Sequence, residues 1–238
     1  MLELSEVIVK RREVLFQVPK LQLVPGNFVA LIGANGSGKS TLLKFLTGDL
    51  KLSGSAHWSN QDLVGMTSED RAKLIAKVDN SFPGLDHMST REYLSLGRFP
   101  YTGAFGFLSD SDLQVVETCA KDFHLTHLLD QPTSQLSDGE RQRASIARAM
   151  IQETPIILLD EPTSFLDYPG KLRVMSMLKE VAQKKQKVVV MATHDLDLAL
   201  DHCSSWMVIE PEARMLTHLT DAPSKESLIA QAFPQIEL

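Results

Sequence analysis

Cysteine is nearly absent from this chain of 238 residues: Cys119 and Cys203 stand far apart and in no metal-type spacing. That excludes a disulfide or zinc framework, and it suits a reducing compartment with both thiols as packing residues. Positive charge is also in deficit, with 24 Lys and Arg against 30 Asp and Glu for a net of −6. No global field draws a polyanion, and nucleic acid is not an expected partner. Long apolar runs are missing. Phe28–Ile32, Ile156–Leu159 and Val188–Ala192 fall far below the roughly 18 residues a spanning helix needs, so the chain is not expected to cross a bilayer. The opening Met-Leu-Glu-Leu-Ser-Glu has neither the basic nor the apolar stretch of a secretory signal, which makes a cytoplasmic location the expectation. Repeats and low-complexity tracts are absent too.

What remains is 43% hydrophobic and 23% charged, enough apolar material for a real core, and the length suits one large α/β unit. From Leu2 to Val24 apolar and polar residues alternate, predicting short antiparallel strands before a turn at Pro25-Gly26. Asn27–Ile32 reads as a strand, Gly33–Ser40 as a glycine loop, and Lys39–Thr47 as a helix closed by Gly48. Helical patterns follow over Ser89–Leu96 and Asp110–Leu129, flanking a Gly- and aromatic-rich stretch from Gly97 to Leu108. Six of the fifteen aromatics lie between Phe82 and Phe107. A helix from Ser137 through Met150, the strand Ile156–Leu159, a helix over Gly170–Lys184 and the buried-type strand Lys187–Ala192 restore the α/β alternation. The expected fold class is therefore α/β with a mainly parallel sheet, an N-terminal antiparallel β subdomain and an inserted α-helical subdomain. The chain divides into a core with the β subdomain (1–81 and 145–220), a helical unit (82–144) and a short helical appendage (221–238).

Gly33-Ala34-Asn35-Gly36-Ser37-Gly38-Lys39-Ser40, with Thr41 behind it, fits G-x-x-x-x-G-K-[ST] between a predicted strand and a predicted helix. Such a loop curls backbone N–H groups around phosphate oxygens at a helix N-terminus. Lys39 would set a cation on the β- and γ-phosphates of a nucleotide, and Ser40 would offer a hydroxyl to Mg²⁺. A bare glycine turn would account for the composition, but not for strand, loop and helix agreeing. Ile156-Ile157-Leu158-Leu159-Asp160-Glu161 is a buried strand ending in two acids, the Walker B pattern. Asp160 can hold Mg²⁺ or its water shell, and Glu161 is placed to deprotonate an attacking water.

Leu136-Ser137-Asp138-Gly139-Glu140-Arg141-Gln142-Arg143 precedes Asp160 by 24 residues in the strand assignment above. Locally it is a helix start, with Ser137 as N-cap and Glu140 at the third position in a capping box. It is also a second potential anion site. Here the sequence resembles the ATP-binding-cassette (ABC) ATPases, P-loop NTPases whose signature stands between the phosphate loop and the Walker B strand. Ser164-Phe165-Leu166-Asp167 looks like the family's D-loop and Thr193-His194-Asp195 like its switch histidine. The resemblance implies a head-to-tail dimer in which each ATP lies between one subunit's loop and the other's signature helix. Ser137, Gly139 and Glu140 would then meet the nucleotide in trans, Asp167 would contribute from the D-loop, and His194 would hold the γ-phosphate in cis. The pair His124 and His127, on the predicted helix, is read as an ordinary surface feature rather than as metal ligands.

Arg91-Glu92-Tyr93-Leu94-Ser95-Leu96-Gly97-Arg98-Phe99-Pro100-Tyr101 is similar to the ATPases of importers for iron-siderophores, haem and vitamin B12. That likeness implies an ATP-hydrolysing subunit at the cytoplasmic face of the cell membrane. Its partners would be a second ATPase subunit, transmembrane permease subunits and, indirectly, a substrate-binding protein. Most of the clustered rings are expected in a core, with one or two exposed where a permease docks. The sequence departs from the family pattern in three places. Asn80 stands where a Q-loop glutamine toward Mg²⁺ is expected, Asp138 replaces the signature's first glycine, and no aromatic occurs between Leu2 and Leu15 to stack on adenine. Val9 or the stem of Lys10 is left to serve there. Two other classes fit part of the motifs. A soluble ABC ATPase of the iron–sulfur-assembly type also carries basic residues after the signature, as Arg141 and Arg143 do here. A small-molecule P-loop kinase would use Lys39 and Asp160 but leave Ser137–Arg143 and His194 without a job.

Overall fold

The computed structural model describes residues 1–103 and 106–234. Ten strands form one continuous mixed sheet in the order β5-β4-β1-β2-β10-β9-β3-β8-β7-β6. Its parallel block joins β3 (Phe28–Ile32), β8 (Val188–Thr193), β7 (Ile156–Asp160) and β6 (Ile75–Val78). These strands are β-branched and apolar on both sides because both faces are covered. Phe28, Ala30 and Ile32 enter one core with Ile157, Leu159, Val189 and Met191. Val29 and Leu31 enter the other with Ile156, Leu158, Val188 and Val190.

The N-terminal expectation of short strands needs correcting. β1 (Leu2–Lys10) and β2 (Val14–Leu23) run nine and ten residues, paired antiparallel with an irregularity between Val9 and Lys10. β4 (Ser53–Trp58) and β5 (Gln61–Asp62) extend this layer. The antiparallel hairpin of β9 (Ser205–Glu210) and β10 (Met215–Leu219) joins the two blocks: β9 runs parallel to β3 and β10 meets β2.

Eight α-helices occur among the described residues. α1 (Lys39–Leu46) packs Leu42, Leu43, Phe45 and Leu46 into the second core and ends with Gly48 at φ +75° donating to Phe45 O, the expected left-handed stop. α2 is Ser68–Ala72 and α3 is Thr90–Ser95. α4 (Asp110–Asp122) stops seven residues short of the predicted end at Leu129. His124 adopts φ +54°, which ends the helix, so His124 and His127 do not form an i,i+3 helical pair. α5 (Asp138–Ile151) buries Ala144, Ile146, Ala147, Ala149 and Ile151. α6 (Tyr168–Lys184) begins two residues earlier than predicted because Pro169 is accommodated in its first turn, where no N–H is needed. α7 (Leu196–His202) and α8 (Lys225–Ala232) complete the set, α8 burying Leu228 and Ala232. Ala104, Phe105 and residues 235–238, parts of the predicted aromatic stretch and helical tail, lie outside the described residues.

Arg91–Tyr101 is largely a staple. Gly97 passes so close to α5 that a Cβ would sit 2.5 Å from Arg148 O. Arg98 donates to Asp112 on α4 (2.7 Å), to Ile151 O (3.0 Å) and to Glu153 (2.7 Å), and Tyr101 donates to Gln152 O (2.8 Å). The expectation that most aromatic rings are buried is not met among the described ones. Phe82 stacks on Tyr93 at 4.3 Å inside the helical layer, whereas Phe99, Tyr101 and Phe107 are exposed. The backbone from Leu96 to Tyr101 follows a 3-10 helix.

Candidate functional site

The loop Gly33–Gly38 connects β3 to α1. Gly36 and Gly38 have φ of +81° and +108°, conformations open to glycine but not to ordinary side chains. Ser37 N–H closes a turn on Ala34 O at 3.1 Å, while Asn35 and Gly36 are exposed at the tip. Lys39 lies inside the loop, 6% exposed, donating to Gly33 O at 2.7 Å and Ala34 O at 3.1 Å. Burial lowers its pKa from the usual lysine value, and Glu161 and Asp160 act in the opposite direction. Thr41 is buried one turn into α1.

The N-termini of the eight helices differ in one respect. Thr67, Ser89, Ser109, Ser137, Asp167, Asp195 and Ser224 cap α2 to α8 through their side chains. α1 begins at Gly38 with no side-chain cap, so its first N–H groups and the positive end of its dipole stay available to an external anion. Ser37 Oγ is buried in the same loop without a hydrogen-bond partner. These unmet donors fit a polyphosphate.

Strand register brings the other candidates to the same edge. Ile32 pairs with Thr193, Asp160 with Ala192, and Val78 with Leu159, so the loop, the two acids, His194 and Asn80 all follow the carboxyl ends of adjacent parallel strands, where α/β folds place ligands. Glu161 turns at φ +50°, its N–H bonded to Ala192 O at 3.0 Å. Its carboxylate lies 3.4 Å from His194 Nδ1 and accepts from Ser164 Oγ at 3.2 Å. His194 is exposed on the other side, its side chain 62% accessible. This Glu161–His194 contact was not foreseen, because it depends on which strands are neighbours. Asn80 is exposed two residues beyond β6.

Ser137 forms the capping box expected of it. Its N–H and hydroxyl reach Glu140 Oε2 at 2.8 and 2.7 Å, and its Oγ accepts from Glu140 N at 3.3 Å. These bonds hold the Glu140 carboxyl below the usual range. Asp138 pairs with Arg141 on its own helix, and Arg141 also reaches Ser134 O and Leu136 O just before that helix. Gly139 is close to the D-loop, a Cβ there lying 3.4 Å from Phe165 O. Asp167 uses one carboxylate oxygen to cap α6 through Gly170 N–H at 2.9 Å. Val9 is fully buried, which removes it as a base platform. Leu15, half-buried and packed against Gly38 in company with Phe16 and Val9, is the apolar residue beside the loop that the sequence reading overlooked. Its position follows from the hairpin of β1 and β2 folding over α1.

The family model for "ABC transporter" matches residues 16–164, more than half of the chain. The chain belongs to the ABC transporter family. An ATP-binding protein of an ABC transporter from Methanocaldococcus jannaschii is 36% identical over 76% of this chain and 62% of its own length. The cobalamin import ATP-binding protein BtuD of Halobacterium salinarum is 34% identical over 77% of this chain and 46% of its own. The petrobactin import ATP-binding protein FpuD of Bacillus anthracis is 30% identical over 90% and 78%. The chain thus spans less than two thirds of the length of the first two relatives. Among solved structures, a transporter described as of the metal-chelate ABC type, in an inward-facing conformation, superposes with TM-score 0.83 at 26% identity, covering 98% of this chain and 88% of that one. A dimeric ATP-binding cassette bound to ADP and Pi gives 0.80 at 26%, covering 92% and 98%.

Among the described residues no group of three or more His, Cys, Asp or Glu could enclose a metal ion by itself. Ser40 in the first turn of α1, Asp160 at the end of β7 and Asn80 beyond β6 offer hard oxygens of the kind that suit Mg²⁺, which keeps waters and shares its shell with phosphates.

Proposed function

We propose that the chain binds and hydrolyses ATP as the energising subunit of a membrane importer. The observation that carries this reading is the convergence, at one sheet edge, of an uncapped helix N-terminus, a buried lysine and the pair Glu161–His194. The loop from Gly33 to Ser40 would take the β- and γ-phosphates, with Lys39 exchanging its bonds to Gly33 O and Ala34 O for phosphate oxygens. Mg²⁺, when bound by Ser40, Asp160 and Asn80, would supply charge neutralisation of the phosphates. Glu161 would accept the proton of the attacking water, with His194 holding Glu161 in place and facing the γ-phosphate from its exposed side. Ser137 is exposed at the start of α5, with Gly139 and Glu140 half-buried beside it, and a second subunit would bring them to the nucleotide. The dimeric, ADP- and Pi-bound relative supports that arrangement.

A permease would dock on the groove of about 370 Å³ between the end of α1, α2, β6 and α5, lined by Asp49, Arg71, Lys77, Arg148 and Gln152. Tyr101 bonds to Gln152 at its edge, and Leu96 and Phe99 are exposed on the same 3-10 segment. Cobalamin and petrobactin are cargoes of relatives, so an iron chelate, haem or cobalamin is the proposed cargo class. It would be delivered by a substrate-binding protein, with the chain peripheral to the cytoplasmic face. The test is twofold. Purified chain should hydrolyse MgATP and lose this with Glu161→Gln while still binding nucleotide. It should also co-purify with a multi-spanning membrane protein when expressed with its gene neighbours. Turnover unaffected by Glu161→Gln overturns the catalytic assignment, and a chain that never meets a membrane partner favours the soluble class.

A further inference from the structure

Away from the nucleotide edge, two adjoining hollows share Asp122, Phe123, Val174 and Met177 in their walls. The larger, about 460 Å³, runs between α4, α5 and α6 and is floored by Val115, Ile146, Met150 and Leu178. That volume lies within the range of small-molecule sites. The smaller, about 170 Å³, continues it toward the N-terminus of α6 and carries Arg143, Arg173 and His124.

Among the described residues the two guanidinium groups make no hydrogen bond or ion pair, and Arg143 Nε is buried without a partner. Of the three carboxylates in these walls, Glu153 is paired with Arg98 and one oxygen of Asp167 caps α6, while Asp122 stands at the junction of the hollows. A buried, unmatched guanidinium N–H is costly, and the complement that removes the cost is a carboxylate presented by a ligand. Arg143 follows the signature box, where its charge helps to hold the Glu140 carboxyl low, while its Nε is left without a partner.

We propose that this cleft binds a small amphipathic carboxylate, its apolar body against Val115, Phe123, Met150 and Met177 and its charged head on Arg143 and Arg173. Such a ligand joins α5, which carries Ser137 at its start, to α6, which begins at the D-loop residue Asp167. Occupancy therefore biases the angle between the helical unit and the core. That regulatory consequence rests on the proposed ATPase function, whereas the binding does not.

The test is titration of the full chain, labelled at its methionine methyl groups, with octanoate below its micellar concentration, followed by NMR. Saturable shifts of Met150 and Met177, with methionines remote from the cleft unmoved, are expected. Arg143→Gln should weaken binding at least about tenfold, the loss of one charge-assisted hydrogen bond. Arg173→Gln, at an exposed position that folding does not depend on, should weaken it in the same direction. No saturable shift overturns the proposal. So does octan-1-ol binding as tightly as octanoate, which makes the cleft merely apolar. Inorganic phosphate reproducing the whole effect makes it merely an anion site and overturns it equally. None of these readouts involves ATP, so failure here leaves the nucleotide reading standing, and the reverse holds.

Discussion

Lys39 holds a charge that its surroundings solvate poorly: burial depresses its pKa, and the two loop carbonyls only partly replace water. A phosphate would supply the missing counter-charge, so the residue is poised for a ligand rather than for stability. Lys39→Ala should cut MgATP affinity by about 10- to 100-fold, the worth of charge-assisted hydrogen bonds, measurable by fluorescent-nucleotide titration. Unchanged affinity would mean that the loop amides act alone. Asp112 shows the structural use of charge. Hydrogen bonds from Ser109 and then Arg98 lower its pKa from 3.8 to about 2. A carboxyl depressed on folding stabilises above its unfolded pKa and loses that contribution as pH falls through the folded one. The unfolding midpoint should therefore drop between pH 3.8 and about pH 2 more steeply in the wild type than in Asp112→Asn, as thermal melts across that window would reveal. Parallel curves would show that Asp112 contributes nothing to stability.

At the level of elements, the helical layer combines an apolar core, with Phe82 stacked on Tyr93, and a close backbone approach at Gly97. Gly97 admits α5 because it lacks a Cβ, and the obstacle a Cβ would meet is backbone, which cannot swing aside. Gly97→Ala should destabilise by about 1–3 kcal/mol, read from urea unfolding, and loosen the Arg98 and Tyr101 contacts. A silent substitution would show that α5 can retreat. The same segment marks where the sequence was legible. The phosphate loop, the two acids and the capping box at Ser137 are local patterns, each fixed by a few contiguous residues, and all fell on the expected elements. α4 was drawn too long because only the backbone reveals that His124 turns left-handed. β4, β5, β6, β9 and β10 went unseen, since such short strands with polar residues interspersed lack the continuous apolar run that marked β7 and β8. The contact between Glu161 and His194, and the position of Leu15 over the loop, depend on strand order and hairpin folding, which no local pattern encodes.

For the whole molecule, the single chain has the phosphate loop on the sheet edge and Ser137 on the helical unit, with the Ser137 side facing solvent. A nucleotide sandwiched between two such surfaces from different copies is held by both, and hydrolysis removes the bridge. Ser137→Arg should leave nucleotide binding by the monomer intact while abolishing turnover, because the new side chain fills the partner's phosphate position. Retained turnover would remove the role in trans. The account's central claim is that the triphosphate joins two chains. It is tested most directly by multi-angle light scattering of Glu161→Gln with saturating MgATP, where the account predicts twice the 26.4 kDa of one chain, returning to the monomer mass with ADP. A mass that stays at one chain with saturating MgATP would contradict it.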